Sequence, residues 1–239
     1  MSLARRFDTA AFRRVYAAPT FSPTDCPNFL TYADFAQYRW YARLLAPVLL
    51  ATGGGPLFVG HRVATWRDPS PCETWMLVRY RNHRRMLAMI ANPYYAFVNR
   101  FRERGTARLE LAFTEPRDPR SGVETHRWVL AAHVCAADPT AFFDAIRNAS
   151  GRAGLPVVYE SVVRLDFEFV VDPRPNNPNR LTYPVTAAVG GSDEATLRAF
   201  AESANLAAAL DRCERACVQL YRRGSTRELL GFATIRPPA

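Results

Sequence analysis

With 239 residues, the chain is long enough for one large domain or two small ones, at about 100–200 residues each. Hydrophobic residues make up 49% and charged residues 22%, the balance of a globular protein with a real core. Net charge is +9 and all 31 basic residues are arginine, a usage that GC-rich coding favours, so the charge excludes little and attracts anions from nucleic acid to carboxylate-bearing metabolites. The first residues, MSLARRFDTAAFRR, carry charge with no apolar run behind it, unlike a secretory signal. The most apolar stretch, LLAPVLLATGGGPLFVG, is broken by Pro47 and by Gly53, Gly54 and Gly55, and is too short to span a bilayer. The five cysteines (Cys26, Cys72, Cys135, Cys213 and Cys217) are an odd number at unrelated spacings, and reduced thiols in a cytoplasmic protein are expected.

In chain order, a short apolar strand is predicted near residues 12–19. A helix follows over about residues 32–52, where Phe35, Tyr38, Tyr41, Leu45 and Leu49 recur at three- and four-residue spacing. The glycines at 53–55 stop it. PLFVGHRVATW and TWMLVRY read as strands on either side of the turn DPSPCE. A second helix is expected over about residues 84–104, with Met86, Ile90, Pro93, Phe97 and Phe101 as its buried stripe, and ARLELAFTEP is the next strand. The second half repeats the order. HRWVLAAHV is a strand, PTAFFDAIRNASGRAG a helix, LPVVYESVVRLDFEFVV a long strand and LTYPVTAAV another. DEATLRAFAESANLAAALDRCERA is a helix, and CVQLYRRGS begins the last strand.

Each half therefore reads β-α-β-β-α-β, the ferredoxin-like motif, whose helices cover one face of a four-stranded sheet. An apolar bare face must be covered too. The expected fold class is α+β: two tandem ferredoxin-like units, residues 1–116 and 117–239, packing sheet to sheet as an intrachain α+β barrel. Pairing of each half with another chain is the alternative. PRDPRSGVET, between the halves, has linker composition. GPLFVGH can be set beside LPVVYES without gaps, which places His61 opposite Ser161.

The run WMLVRYRNHRRMLAMIANPYYAFVNRFR resembles the strand–turn–helix segment of the dimeric α+β barrel superfamily. It is most similar to a family of small uncharacterised bacterial proteins within it. The residues that carry the resemblance are Arg79, Tyr80, Met89, Ile90, Pro93, Tyr95 and Arg102, with Tyr38 to Tyr41 and Ala46-Pro47 before them. The superfamily includes cofactor-independent monooxygenases, cyclases, isomerases and haem enzymes, so the resemblance implies a fold more firmly than a reaction. It also implies a ligand cavity between a unit's sheet and its own helices.

His61 shares a strand face with Val59 and Val63, and its imidazole can serve as a general base or simply pack in the core. Arg79, at the end of the next strand, is the candidate for offsetting negative charge. The resemblance implies a substrate-orienting role for a strand tryptophan, here Trp75. Tyr38, Tyr41, Tyr94 and Tyr95 are candidate aromatic walls, or else core packing. The matching segment of the second half offers Ala204 and Asn205 opposite Tyr94 and Tyr95, which suggests one working pocket and one closed one. Measured from Phe97 as the stripe centre, Asn99 points about 160° away at 3.6 residues per turn. The haem branches imply a helix histidine that the assigned helices lack, and none of His83, His126 or His133 has metal-site spacing, so no cofactor or metal is expected.

Arg79, Arg81, Arg84 and Arg85 are clustered, but their neighbouring aromatics fall on buried stripes and no nucleic-acid module signature is present. No glycine-rich phosphate loop or G-x-S-x-G motif appears either. The expected partner is a small aromatic or polycyclic molecule, with no nucleic acid and no membrane, in a monomer or homodimer. Cofactor-independent oxygenation, cyclisation or isomerisation is the expected chemistry. A non-catalytic ligand-binding or scaffold protein of the same fold is the rival.

Overall fold

The computed structural model describes residues 8–67, 72–120, 122–167 and 180–225. The chain opens with α1 (Thr9–Ala17), followed by β1 (Thr24–Tyr32), α2 (Phe35–Ala51), β2 (Gly55–Arg67) and β3 (Thr74–Tyr80). It continues through α3 (His83–Ala91), α4 (Pro93–Gly105) and β4 (Thr106–Pro116). The second half runs β5 (Trp128–Cys135), α5 (Pro139–Arg152), β6 (Val157–Asp166), β7 (Val185–Gly191), α6 (Glu194–Ala201), α7 (Ala204–Leu210) and β8 (Arg215–Arg223). The expected loop DPRPNNPN and most of the turn DPSPCE lie outside the described residues.

The eight strands close into one antiparallel barrel in the order β1-β3-β2-β8-β5-β7-β6-β4. Within it, each half keeps the ferredoxin-like neighbour order, β4-β1-β3-β2 and β8-β5-β7-β6. Two seams join the halves. β2 pairs with β8, from Gly60 opposite Arg223 to Arg67 opposite Cys217. β4 pairs with β6, from Ala112 opposite Asp166 to Pro116 opposite Ser161. Closure leaves no unpaired sheet edge among the described strands. The expected architecture of two units sheet to sheet in one chain is the one observed.

Three buried clusters follow from strand alternation. Phe29, Phe58, Trp75, Leu77, Tyr159 and Tyr221 fill the barrel. Tyr38, Tyr41, Tyr80, Met86, Met89 and Tyr95 belong to a layer between the first half's strands and α1 to α4. Leu130, Phe142, Phe143, Ile146, Leu197 and Phe200 belong to the equivalent layer of the second half.

Three expectations are corrected. Residues 12–19 are not a strand. Asp8 caps α1 by accepting from the Ala10 and Ala11 amides, and the first strand is TDCPNFLTY, whose polar residues hid its role. The single helix expected over residues 84–104 is two, because Asn92 ends α3, caps α4 and is followed by Pro93 at its first turn. That restart rotates the buried face. Phe97 is 49% exposed, and Tyr95 and Val98 are buried instead. Finally, the segment between the halves is not a bare linker: Val123, in a short 3-10 turn at Val123–Thr125, is fully buried in the barrel cluster.

Candidate functional site

Successive side chains on a strand point to opposite faces, and this rule divides the candidate residues. On β3, Met76, Val78 and Tyr80 join the helix-facing layer, whereas Trp75 and Leu77 join the barrel cluster. On β2, Val59 faces the helices while Phe58 faces the barrel. Gly60 also faces inward, since a Cβ there would meet the Phe58 ring at 2.5 Å. His61 therefore points to the helix side, with Nδ1 3.5 Å from the Thr74 hydroxyl. His61 and Trp75, expected to line one cavity, stand on opposite faces of the sheet.

The helix-facing layer gathers the tyrosines. Asp34 caps α2 through the Ala36 and Gln37 amides, and the helix then presents Tyr38, Tyr41 and Leu45 on its buried face. From Pro93, α4 carries Tyr95, Val98 and Arg102 at i, i+3 and i+7, which share a face. Gly105 ends α4 against α2: a Cβ there would lie 2.5 Å from the Tyr38 backbone nitrogen. The Tyr38 and Tyr41 rings are 5.4 Å apart, and Tyr32 stands 5.0 Å from Tyr38. Tyr80 enters from β3, with Cys26 beside it.

Burial pushes the hydroxyls of Tyr38, Tyr41 and Tyr80 well above the ordinary phenol range, so all three are neutral donors near pH 7. Arg102 lies within electrostatic reach of Tyr95, Tyr41 and Tyr38. Burial works against its charge, but Tyr95, Tyr41 and Glu103 outweigh that and raise its pKa. The Arg102 Nε donates to Asn99 Oδ1 at 2.6 Å, and Asn99 Nδ2 donates to Glu103 Oε1 at 2.9 Å. A stripe centred on Phe97 turns Asn99 away from the pocket. With the buried face on Tyr95 and Val98, Asn99 becomes the residue that orients Arg102. The signal that identifies the true phase is Asn92-Pro93.

The remaining candidates lie elsewhere. Tyr94 is exposed, and its hydroxyl donates to the Leu44 carbonyl at 3.1 Å. Arg79 is on the barrel side, where it grips the fully buried Asp25 in two bonds of 2.7 and 2.9 Å and also donates to the Pro119 carbonyl. Trp75 is fully buried among Phe29, Phe58, His133, Tyr159 and Tyr221, with ring centroids 5.1 to 6.3 Å away. His133 Nδ1 is 3.0 Å from the Thr186 hydroxyl and Nε2 is 3.4 Å from Tyr221 Oη. Burial pushes the His133 pKa from 6.5 down to about 3, so it is neutral near pH 7. Of these candidates, Trp75 and Arg79 belong to the barrel side and Tyr94 to the surface.

No group of three or more His, Cys, Asp and Glu side chains able to hold a metal ion occurs among the described residues, and no described helix is long and apolar enough to cross a membrane. No protein-family model matches the chain, and no curated protein matches it. Solved structures do. An anthrone oxidase-like protein superposes with a TM-score of 0.51 at 15% identity, over 87% of this chain and 95% of its own. A haem-binding protein from Thermus thermophilus gives 0.48 at 9% identity, over 90% and 96%. A protein of unknown function from Rhodopseudomonas palustris gives 0.43 at 18% identity, over 47% and 95%. At these identities the likeness is one of fold, that of the α+β barrel proteins.

Proposed function

We propose that the chain binds a small aromatic or polycyclic molecule between the first half's sheet and its helices, and acts on it as a cofactor-independent monooxygenase, cyclase or isomerase. The observation that carries this reading is the contrast between the two helix-facing layers. The first holds Tyr38, Tyr41, Tyr80 and Tyr95 with Arg102 beside them, and the second is built from Leu, Ala, Val, Ile and Phe. A core needs no hydroxyls, and each buried one costs free energy unless it is hydrogen-bonded. Rings with polar tips give an aromatic ligand flat walls and oriented donors.

Tyr38, Tyr41 and Tyr95 form the walls in this reading. His61 is the proton acceptor at the rim, joined to them by Thr74 and Tyr32, whose hydroxyl lies close to Thr74. Removing a proton from a phenol, or from a methylene between aromatic rings, yields an electron-rich anion that reacts with dioxygen directly. For the methylene, one oxygen atom becomes the new carbonyl and the other leaves as water with both hydrogens, so no further reductant is needed. The anthrone oxidase-like neighbour makes anthrones and quinols the natural first panel.

The test is oxygen uptake and ligand titration with that panel. Binding with uptake supports an oxygenase, and Tyr95→Phe and His61→Ala are then expected to lower kcat/KM by about 10–100-fold each. Binding without turnover of any panel member favours the non-catalytic ligand-binding rival. Full activity in His61→Ala removes His61 from the role, and absence of any binding ends the reading.

A further inference from the structure

Six large apolar side chains are exposed among the described residues, and all six lie in the first half. Four of them, Trp40, Leu50, Tyr94 and Phe97, sit on α2 and α4, which pack against each other. The Phe97 ring lies 6.4 Å from Tyr94 and 5.8 Å from Phe101, so the aromatic surface of α4 is continuous. Phe97, Arg100 and Arg104, at i, i+3 and i+7, share the outer face of that helix, away from the buried Tyr95 and Val98. On α2, the Arg43 guanidinium lies over the exposed Trp40 ring at 5.3 Å. Together the two helices carry five arginines and a single acid, Glu103. The second half is an internal control. Its equivalent pair, α5 and α7, exposes Thr140, Asp144, Asn148 and Asn205 and no large apolar side chain. The fold therefore tolerates a polar outer face, and the apolar, basic one on the first half marks an interaction surface.

We propose that the outer face of α2 and α4 docks on an anionic lipid surface. Charge complementarity selects this occupant. A second copy of the chain would set arginine against arginine. A partner helix or peptide would need a furrow between the two helices. That furrow is shut, because Gly105 lies against the Tyr38 backbone and the Tyr94 hydroxyl donates to the Leu44 carbonyl. A bilayer surface needs no furrow. Trp40 and Tyr94 suit the headgroup level, Leu50 and Phe97 the acyl boundary, and the arginines the lipid phosphates and carboxylates. No described helix is long and apolar enough to cross a membrane, and a face that lies on one needs no spanning helix. The surface stands apart from the ligand pocket, and its test uses no aromatic ligand.

The experiment sediments the full chain with vesicles of phosphatidylcholine, alone or with about a third phosphatidylserine. Binding to the anionic vesicles is expected to be at least about 10-fold tighter, and to fall as salt rises from about 0.1 M to about 0.5 M. Phe97→Ser, and the pair Arg100→Glu with Arg104→Glu, should each weaken it by about 10-fold or more. Arg152→Glu with Arg212→Glu makes the same charge change on the surface of the second half and should leave binding within about 2-fold. All these positions are exposed, and circular dichroism checks that each variant is folded. Failure to bind anionic vesicles, equal binding to neutral ones, or equal losses from the two charge pairs overturns the proposal. Self-association that Phe97→Ser abolishes, with vesicles ignored, overturns it in favour of a second copy. Capture by polyglutamate, with vesicles ignored, overturns it in favour of an acidic protein.

Discussion

At the residue scale, the two histidines that sequence reasoning weighs differently occupy different surroundings. Sequence favours His61, yet it sits half-buried at the rim of a layer, beside Thr74. His133 lacks metal spacing, yet it stands among the barrel rings. Its titration has a consequence for stability. The unfolded chain takes a proton at His133 near pH 6.5, and the folded chain does not until about pH 3. Stabilisation is thus complete above 6.5 and drains away as pH falls towards 3. Urea unfolding should show about 2 kcal/mol lost between pH 6.5 and 5, above the carboxylate range. His83, lowered chiefly by burial, adds a slope of the same sign, so the readout is the difference between wild type and His133→Gln, whose profile should be flatter. Equal slopes would show that His133 is not held neutral.

At the element scale, the α2–α4 contact decides whether the tyrosines meet. α2 reaches α4 where Gly105 leaves room for the Tyr38 backbone, and the Gly105 carbonyl accepts from the Ala33 amide at 3.0 Å. Backbone cannot step aside as a side-chain tip can. Gly105→Ala is expected to cost about 1–3 kcal/mol in chemical denaturation and to weaken aromatic ligand binding by moving Tyr38 away from Tyr95. Stability and affinity both unchanged would mean that the helices do not pack this closely. Periodicity located α2 and placed Tyr38 and Tyr41 on its buried face. It misplaced the face of α4, because a stripe drawn through Pro93 treats a helix start as a helix middle. It also misread residues 12–19, where the spacing of Phe12 and Val15 fits a helix capped by Asp8.

At the scale of the whole molecule, barrel closure separates what holds the fold from what can bind. Trp75 packs with rings from both halves, Phe29 and Phe58 of the first and Tyr159 and Tyr221 of the second. Its indole N–H has no hydrogen-bond partner among the described residues, so shape and burial are its contribution. Trp75→Phe should lower stability by about 1–3 kcal/mol in urea and leave aromatic ligand affinity unchanged within about 2-fold. A large loss of affinity with stability intact would put Trp75 back into a binding site. The Arg79–Asp25 pair belongs with this interior, and through Pro119 it ties the inter-half segment to the barrel.

The sequence by itself determined the repeated β-α-β-β-α-β order, the sheet-to-sheet expectation and the polar-aromatic character of the first half, because each is written in local periodicity and composition. It could not decide which of its charged and aromatic residues meet. That depends on which strand face each occupies and on where the helices restart. A shift of one residue exchanges the faces of a strand, and one Asn-Pro step re-phases a helix. Only the closed tertiary structure sends Trp75 and Arg79 inward, keeps His61 and the tyrosines outward, and brings Arg102, seven residues after Tyr95 on α4, to the side chains of α2.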